Sequence, residues 1–100
     1  MSSGVNRVKV GAFNGTAAIK DIRTVGFRPK YVRVINVSAD TAAGEWFEGF
    51  ADDSVFKAIT DGTMSLATSD GITPLADGFR LGADTDLNVA GEQVYWVAYE

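Results

Sequence analysis

Turn signals in the second half of the chain recur at intervals too short to hold helices. Asp-Gly dipeptides begin at residues 61, 70 and 77, nine and then seven residues apart. The segments that follow them are strand-length and rich in Thr, Leu, Ile and Phe, and they cover residues 63–68, 72–76 and 79–82. An α/β fold would place helices of about 10–15 residues between its strands. The spacing therefore predicts short antiparallel strands, in a meander or a sandwich.

The stretch from residue 26 to residue 37 predicts a central strand. Pro29 has a fixed φ and pushes Arg28 into an extended conformation, so the segment enters as β or polyproline rather than helix. Residues 31–37 then alternate in a strand pattern, with bulky apolar groups on both faces and only Arg33 interrupting one of them. Such a strand suits the centre of a sheet that is covered on both sides.

Other segments complete the set of predicted strands: residues 7–13, 16–22, 45–50, 55–60 and 94–99. Asn14-Gly15 is a strong signal for a type I′ turn, so the first two segments are predicted to form a hairpin. Residues 55–60 also have helical spacing, but Asp61-Gly62 ends the run after about two turns, and strand is favoured. Pro74 predicts that its strand lies at an edge or carries a bulge.

These segments together predict an all-β fold: a single antiparallel β-sandwich, jelly-roll or immunoglobulin-like, with about eight or nine short strands. The chain has 100 residues, of which 46% are hydrophobic, and this suits one domain with one core. Residues 1–6 are predicted to be a short polar N-terminal arm, and residues 7–100 the domain.

Composition points away from catalysis. The sequence has no cysteine and no histidine, which removes disulfides, thiolate metal sites and the commonest general base. Glu45 and Glu48 are three residues apart, so on a strand they face opposite sides and do not form a catalytic pair. We expect a protein that is not an enzyme and has no cofactor. The start of the chain lacks a signal-peptide pattern, and no apolar run approaches the ~18 residues of a membrane span, so no membrane partner is expected.

Charge is unevenly distributed along the chain. Residues 1–39 carry seven basic and one acidic side chain, a net +6, whereas residues 40–100 carry two basic and twelve acidic side chains, a net −10. A basic first third suggests nucleic acid, but the basic residues are scattered and the pI is near 4.6, so no nucleic-acid partner is expected. Two interpretations remain open: the two parts neutralise each other within one fold, or opposite patches meet between neighbouring copies.

Two further patterns have alternative interpretations. Residues 84–88 space their oxygen ligands like the start of a calcium loop, but Val89 and Tyr95 stand where glycine and glutamate are needed. A turn in which Asp and Asn side chains cap their own backbone is the favoured interpretation. The aromatic residues suit either a sugar-binding groove or, as favoured here, the core; they are Trp46, Phe47, Phe50, Tyr95, Trp96 and Tyr99.

Several segments, spanning about residues 26–99, carry a family resemblance: Gly26-Phe27-Arg28-Pro29-Lys30-Tyr31-Val32, Trp46-Phe47-Glu48-Gly49, Gly71-Ile72-Thr73 followed by Asp77-Gly78-Phe79, and Tyr95-Trp96-Val97-Ala98. Through them the chain resembles small β-rich virion structural proteins of tailed bacteriophages, which include capsid decoration (cement) proteins and fibre modules.

The resemblance implies a capsid decoration protein that is made in the bacterial host cytoplasm and located on the capsid surface of the virion. Its partners would be the major capsid protein or other virion proteins, and by analogy it would be a homo-oligomer, a trimer. The alternative is a receptor- or glycan-binding module of a tail or head fibre, but the chain has no room for a shaft. The candidate protein-contact residues are Arg28, Lys30, Arg33 and Trp46, because charge steers assembly and tryptophan is enriched at interfaces.

Overall fold

The computed structural model describes residues 7–38 and 41–100, and this part of the chain forms eight β-strands. Their bounds are β1 (Val8–Asn14), β2 (Lys20–Ile22), β3 (Tyr31–Asn36), β4 (Ala42–Phe47), β5 (Ser54–Ala58), β6 (Met64–Leu75), β7 (Gly78–Leu81) and β8 (Gln93–Tyr99). All pairs of neighbouring strands are antiparallel. The predicted all-β antiparallel class is confirmed. The predicted arm, residues 1–6, lies outside the described residues.

The predicted two-sheet sandwich is wrong. The eight strands form one sheet in the order β1-β8-β3-β4-β5-β6-β7-β2, and this sheet curls strongly into a half-barrel. Its inner face packs against itself, so Phe79 of β7 contacts Trp96 of β8 across the interior. Alternation along a strand shows which side is buried, but not whether a second sheet or a distant part of the same sheet buries it. The sequence pattern was therefore compatible with both arrangements.

The predicted hairpin at Asn14-Gly15 is also wrong. Strand β1 pairs with β8, and β2 pairs with β7 at the opposite edge of the sheet. The backbone N–H of Gly15 donates to the carbonyl of Glu92 at 2.7 Å. A Cβ at residue 15 would overlap the carbonyl oxygen of Val89. Glycine is needed here for close backbone approach rather than for a type I′ turn.

Strand β6 contains a bulge and pairs with two strands, β5 and β7. Ser54 pairs with Ile72, but the next residue of β5, Val55, pairs with Ala67, so the register shifts between them. The first part of β6 follows β5 and the last part follows β7. Pro74 lies beyond the last partner on β5, which confirms the predicted bulge-or-edge position. The strand interpretation of residues 55–60 is confirmed by β5, and the helix alternative is wrong.

Two loops close the ends of the curled sheet. At one end, the segment from residue 82 to residue 92 buries Leu87 completely. At the other end, the connection from β2 to β3 buries Val25 and Phe27. The core thus lies inside the curl, between these two loops, and the outward side of the sheet is left to form the surface. Within the described residues there is no helix with the length and apolar character needed to cross a membrane.

Candidate interaction surface

Six neighbouring strands present apolar side chains on the outward side of the sheet. Cross-strand partners point to the same side of a sheet, so the register arranges these side chains in three rows. We call this set the apolar face. Its rows are Val8, Tyr99, Tyr31 and Phe47; Val10, Val97, Arg33, Glu45, Phe56 and Leu66; and Ala12, Tyr95, Ile35, Ala43, Ala58 and Met64.

The apolar face is large for a surface patch. Its four most exposed aliphatic residues and four exposed aromatic residues leave between 38% and 68% of their surface open to solvent: Val8, Val10, Met64, Leu66, Phe47, Phe56, Tyr95 and Tyr99. With roughly 100 Å² for a whole aliphatic and roughly 200 Å² for a whole aromatic side chain, these eight expose on the order of 600 Å². The largest apolar patch on a typical monomer is about 300–600 Å², and patches of this size mark interaction sites.

Aromatic rings form a continuous line along one end of the apolar face. Tyr31 stands between Tyr99 and Phe47, with ring centroids 5.5 Å and 4.9 Å away. Phe50 extends the line, 5.6 Å from Phe47. The rings are tilted by 56–58° to one another, a favourable arrangement for aromatic pairs. The line is therefore a preformed edge of the surface.

The centre of the apolar face holds one pair of opposite charges. Arg33 and Glu45 are cross-strand partners in the middle row, with Nη1 and Oε2 4.0 Å apart. The Tyr31 hydroxyl donates a hydrogen bond to the same Glu45 carboxylate. The pKa of Tyr31 is raised to about 12, mainly by burial of the hydroxyl and secondly by this hydrogen bond. A groove of about 500 Å³ runs beside the pair, and Ile35, Tyr95 and Val10 are among its lining residues.

The other part of the outward side, over β7 and β2, is polar. Arg80 lies opposite Asp21 and donates to it at 2.7 Å. Arg23 pairs with Asp77 at 2.9 Å and approaches Asp21 to 3.5 Å. The hydrogen bond from Arg80 is the main cause that lowers the pKa of Asp21. Charged side chains thus cover one part of the sheet in the way expected of a solvated surface, which sets the apolar face apart.

Ion pairs join the basic first third of the chain to the acidic remainder. Examples are Arg7 with Glu100, Arg23 with Asp77, and Arg33 with Glu45. These pairs support neutralisation within one fold. Complementarity between neighbouring copies stays a prediction.

The four candidate contact residues from the sequence do not form one cluster. Trp46 is only 3% exposed and its indole N–H donates to the carbonyl of Ala51, so it belongs to the core and its selection as a contact residue is not supported. Arg33 lies on the apolar face. Arg28 and Lys30 are exposed at the end of the sheet, where they border a separate cavity of about 550 Å³.

The exposed members of the apolar face were not predicted from the sequence. The apolar residues on both sides of β3 predict a strand that is covered on both sides, and the aromatic residues of β8 are predicted to belong to the core. In the structure Trp96 is buried, but Tyr95 and Tyr99 are about half exposed. The strand pattern carries no signal for this exposure, because alternation separates the two faces of a strand but does not say what covers each of them.

The calcium-like segment is held by a cation from β5. The Nζ atom of Lys57 lies 2.8 Å from carboxylate oxygens of both Asp84 and Asp86. The other Asp84 oxygen accepts the backbone N–H groups of Asp86 and Leu87. These contacts agree with the favoured interpretation, in which the Asp84 side chain caps its own backbone. Among the described residues, no group of three or more acidic side chains is arranged to hold a metal ion.

Comparison with known proteins adds no relative: no family model, no curated protein and no solved structure matches this chain.

Proposed function

We propose that this chain is a non-enzymatic structural protein of a tailed-bacteriophage virion, most specifically a capsid decoration protein. The observation that carries the proposal is the apolar face, which exposes aromatic and aliphatic side chains in a regular array. Covering such a surface with a protein partner is favourable, and it stabilises the complex by roughly 25 cal/mol per Å² of apolar area removed from water. The capsid as partner comes from the resemblance described above, and the fold alone does not choose it.

Arg28 and Lys30 are the residues we propose for contact with the capsid lattice. They lie outside the apolar face and are exposed at one end of the sheet. Exposed cations of this kind steer association and fix its orientation when the partner surface is acidic. The proposal thus separates two contact regions, a cationic end for the capsid and an apolar face for assembly.

The test is binding of purified protein to capsids assembled without it, followed by sedimentation and electron microscopy. We expect copies in register with the capsid surface lattice. The double variant Arg28→Glu with Lys30→Glu should lose most of this binding at low salt. The matched control is Lys9→Glu with Lys20→Glu, which has the same net charge and should bind like the wild type. Copies located only at the tail, or no binding by the wild type, would refute the decoration role.

A fibre module that binds glycans is the second candidate, and the line of exposed aromatic rings favours it. Tyr99, Tyr31 and Phe47 offer ring faces to which sugar rings stack. A glycan array probed with the wild type and with Tyr99→Ala tests this function. Trp46→Ala and Trp96→Ala are unsuitable variants, since both indoles lie in the core. Binding that is lost in Tyr99→Ala, while the variant remains folded, would favour the fibre role over decoration.

A further inference from the structure

We propose that the apolar face is the interface between two copies of this chain, related by a two-fold axis. The inference rests on the proposed function as an assembly protein and names the partner of this one surface. It differs from the trimer expected by analogy, because a two-fold interface brings the same face of both copies together.

The size of the apolar face fits a stable pair. A specific interface buries about 800 Å² on each partner, of which a little more than half is apolar. The exposed apolar surface estimated above, on the order of 600 Å², supplies that apolar share. The surrounding polar atoms of the sheet can supply the rest. The face also has a concave part, the groove of about 500 Å³, into which side chains of a second copy can insert.

The charges on the face are self-complementary. Of the side chains in its three rows, only Arg33 and Glu45 are charged, and they are direct neighbours on β3 and β4. A two-fold axis that passes between these strands places Arg33 of each copy opposite Glu45 of the other. Each interface then contains two new ion pairs and no unpaired charge, which is what a desolvated contact requires. A second copy of this chain therefore satisfies both the apolar and the charged parts of the face.

Charge reversal at these two positions gives a direct test. In Arg33→Glu, the two-fold contact would bring acidic side chains together, and in Glu45→Arg it would bring basic side chains together. Each variant alone should therefore dimerise about 100-fold or more weakly than the wild type, because close like charges cost several kcal/mol. In an equimolar mixture, the acidic copy meets the basic copy and both cross-copy pairs are restored. Light scattering over a concentration series should show twice the chain mass for the wild type and for the mixture, and a lower mass for Arg33→Glu or Glu45→Arg alone.

The polar part of the sheet offers a matched control. Arg80 and Asp21 are also cross-strand partners on the outward side, but they lie outside the apolar face. Arg80→Glu and Asp21→Arg should each keep the wild-type mass, and mixing them should change nothing. Circular dichroism establishes that every variant is folded.

If a charge-reversal variant fails to fold, Val10→Lys provides the test, because Val10 is 68% exposed on the apolar face. It should weaken dimerisation, whereas Ile19→Lys, at a 63% exposed position outside the face, should not.

Several outcomes would overturn the two-fold interface: a wild type that stays monomeric or forms trimers, variants that dimerise normally, or a mixture that gains no mass. Failure of this inference is distinguishable from failure of the proposed function. A monomer that still coats capsids contradicts the interface alone, and a dimer that does not bind them contradicts the decoration role alone.

Discussion

Phe79 and Trp96 pack edge to face, with ring centroids 5.5 Å apart and ring planes inclined by 74°. Their strands, β7 and β8, are separated in the sheet by β3, β4, β5 and β6. The contact therefore crosses the interior of the curled sheet and joins its two sides. Aromatic pairs in this geometry contribute about 0.5–1.5 kcal/mol beyond the area they bury. This pair stabilises the curl itself rather than any local hairpin.

Removal of either ring should destabilise the protein strongly. Phe79→Ala should lower the free energy of unfolding by about 3–5 kcal/mol, since the side chain is fully buried and leaves a cavity. A double-mutant cycle with Phe79→Leu and Trp96→Phe, measured by urea denaturation, should give a coupling energy of about 0.5 kcal/mol or more. Purely additive effects of the two substitutions would contradict direct packing across the curl.

The ion cluster of Lys57, Asp84 and Asp86 should stabilise the loop at residues 82–92, and through it the folded protein. Lys57→Met leaves the carboxylate of Asp84, whose side chain is 4% exposed, without its cation, and should cost about 3 kcal/mol of unfolding free energy. Adding Asp84→Asn should recover part of this loss, because the amide oxygen can still accept the loop N–H groups. The control is Arg23→Met, which breaks an exposed pair and should cost less than about 1 kcal/mol. Equal losses in Lys57→Met and Arg23→Met would contradict a structural role for the buried cluster.

Gly15 should tolerate no side chain. Gly15→Ala forces the new Cβ against the Val89 carbonyl, and we expect a loss of about 1–3 kcal/mol or more in chemical denaturation. Asn14→Ala is the informative companion, because Asn14 is exposed at the end of β1 and should change stability by no more than about 0.5 kcal/mol. In a type I′ hairpin both positions would be sensitive. A large loss of stability in Asn14→Ala would therefore support the type I′ hairpin and contradict the strand pairing described above.

Alkaline pH should destabilise the fold. The pKa of Tyr31 is raised from 10 to about 12 by burial and by the bond to Glu45. Burial lowers the pKa of Lys57, but Asp84 and Asp86 more than offset this, so its pKa is also raised. A group with a raised pKa in the folded state stabilises the protein below its unfolded pKa and loses that contribution as the pH rises.

The free energy of unfolding should thus fall from pH 10 towards pH 12, and less steeply in Tyr31→Phe. Equilibrium unfolding followed by circular dichroism at a series of pH values measures both curves. Equal slopes for the wild type and Tyr31→Phe would show that Tyr31 does not contribute.

Much of the local structure was predictable from the sequence. The alternation in residues 31–37 and the apolar run at residues 94–99 led to strands that the structure contains as β3 and β8. Asp61-Gly62 and Asp77-Gly78 lie where one strand ends and the next begins, but Asp70-Gly71 lies inside the single strand β6, so the turn predicted there is wrong. Pro74 correctly indicated a strand at an edge or with a bulge, since the register of β6 shifts against β5. These signals are local, because they depend on the conformations of a few adjacent residues. Strand pairing was predicted less well. Asn14-Gly15 is a strong local signal for a hairpin between β1 and β2, but β1 pairs with β8 and β2 pairs with β7.

The candidate site divides in the same way. Arg33 was selected from the sequence for its charge, and it lies on the apolar face. Trp46 was selected for its ring and is buried, whereas Tyr95 was favoured as core and is half exposed. The amino-acid type does not distinguish these two positions, because both are aromatic residues on strands with apolar neighbours.

From the sequence alone it was determined that this protein folds as short antiparallel strands, because turn residues and alternation act over a few residues. Only the tertiary structure decided that the strands form one curled sheet and which of their two faces is outward. The reason is that a strand pattern has a period of two and is silent about what covers each side. The contact between Phe79 and Trp96, distant in the sheet, turns one face inward and leaves the apolar face on the surface.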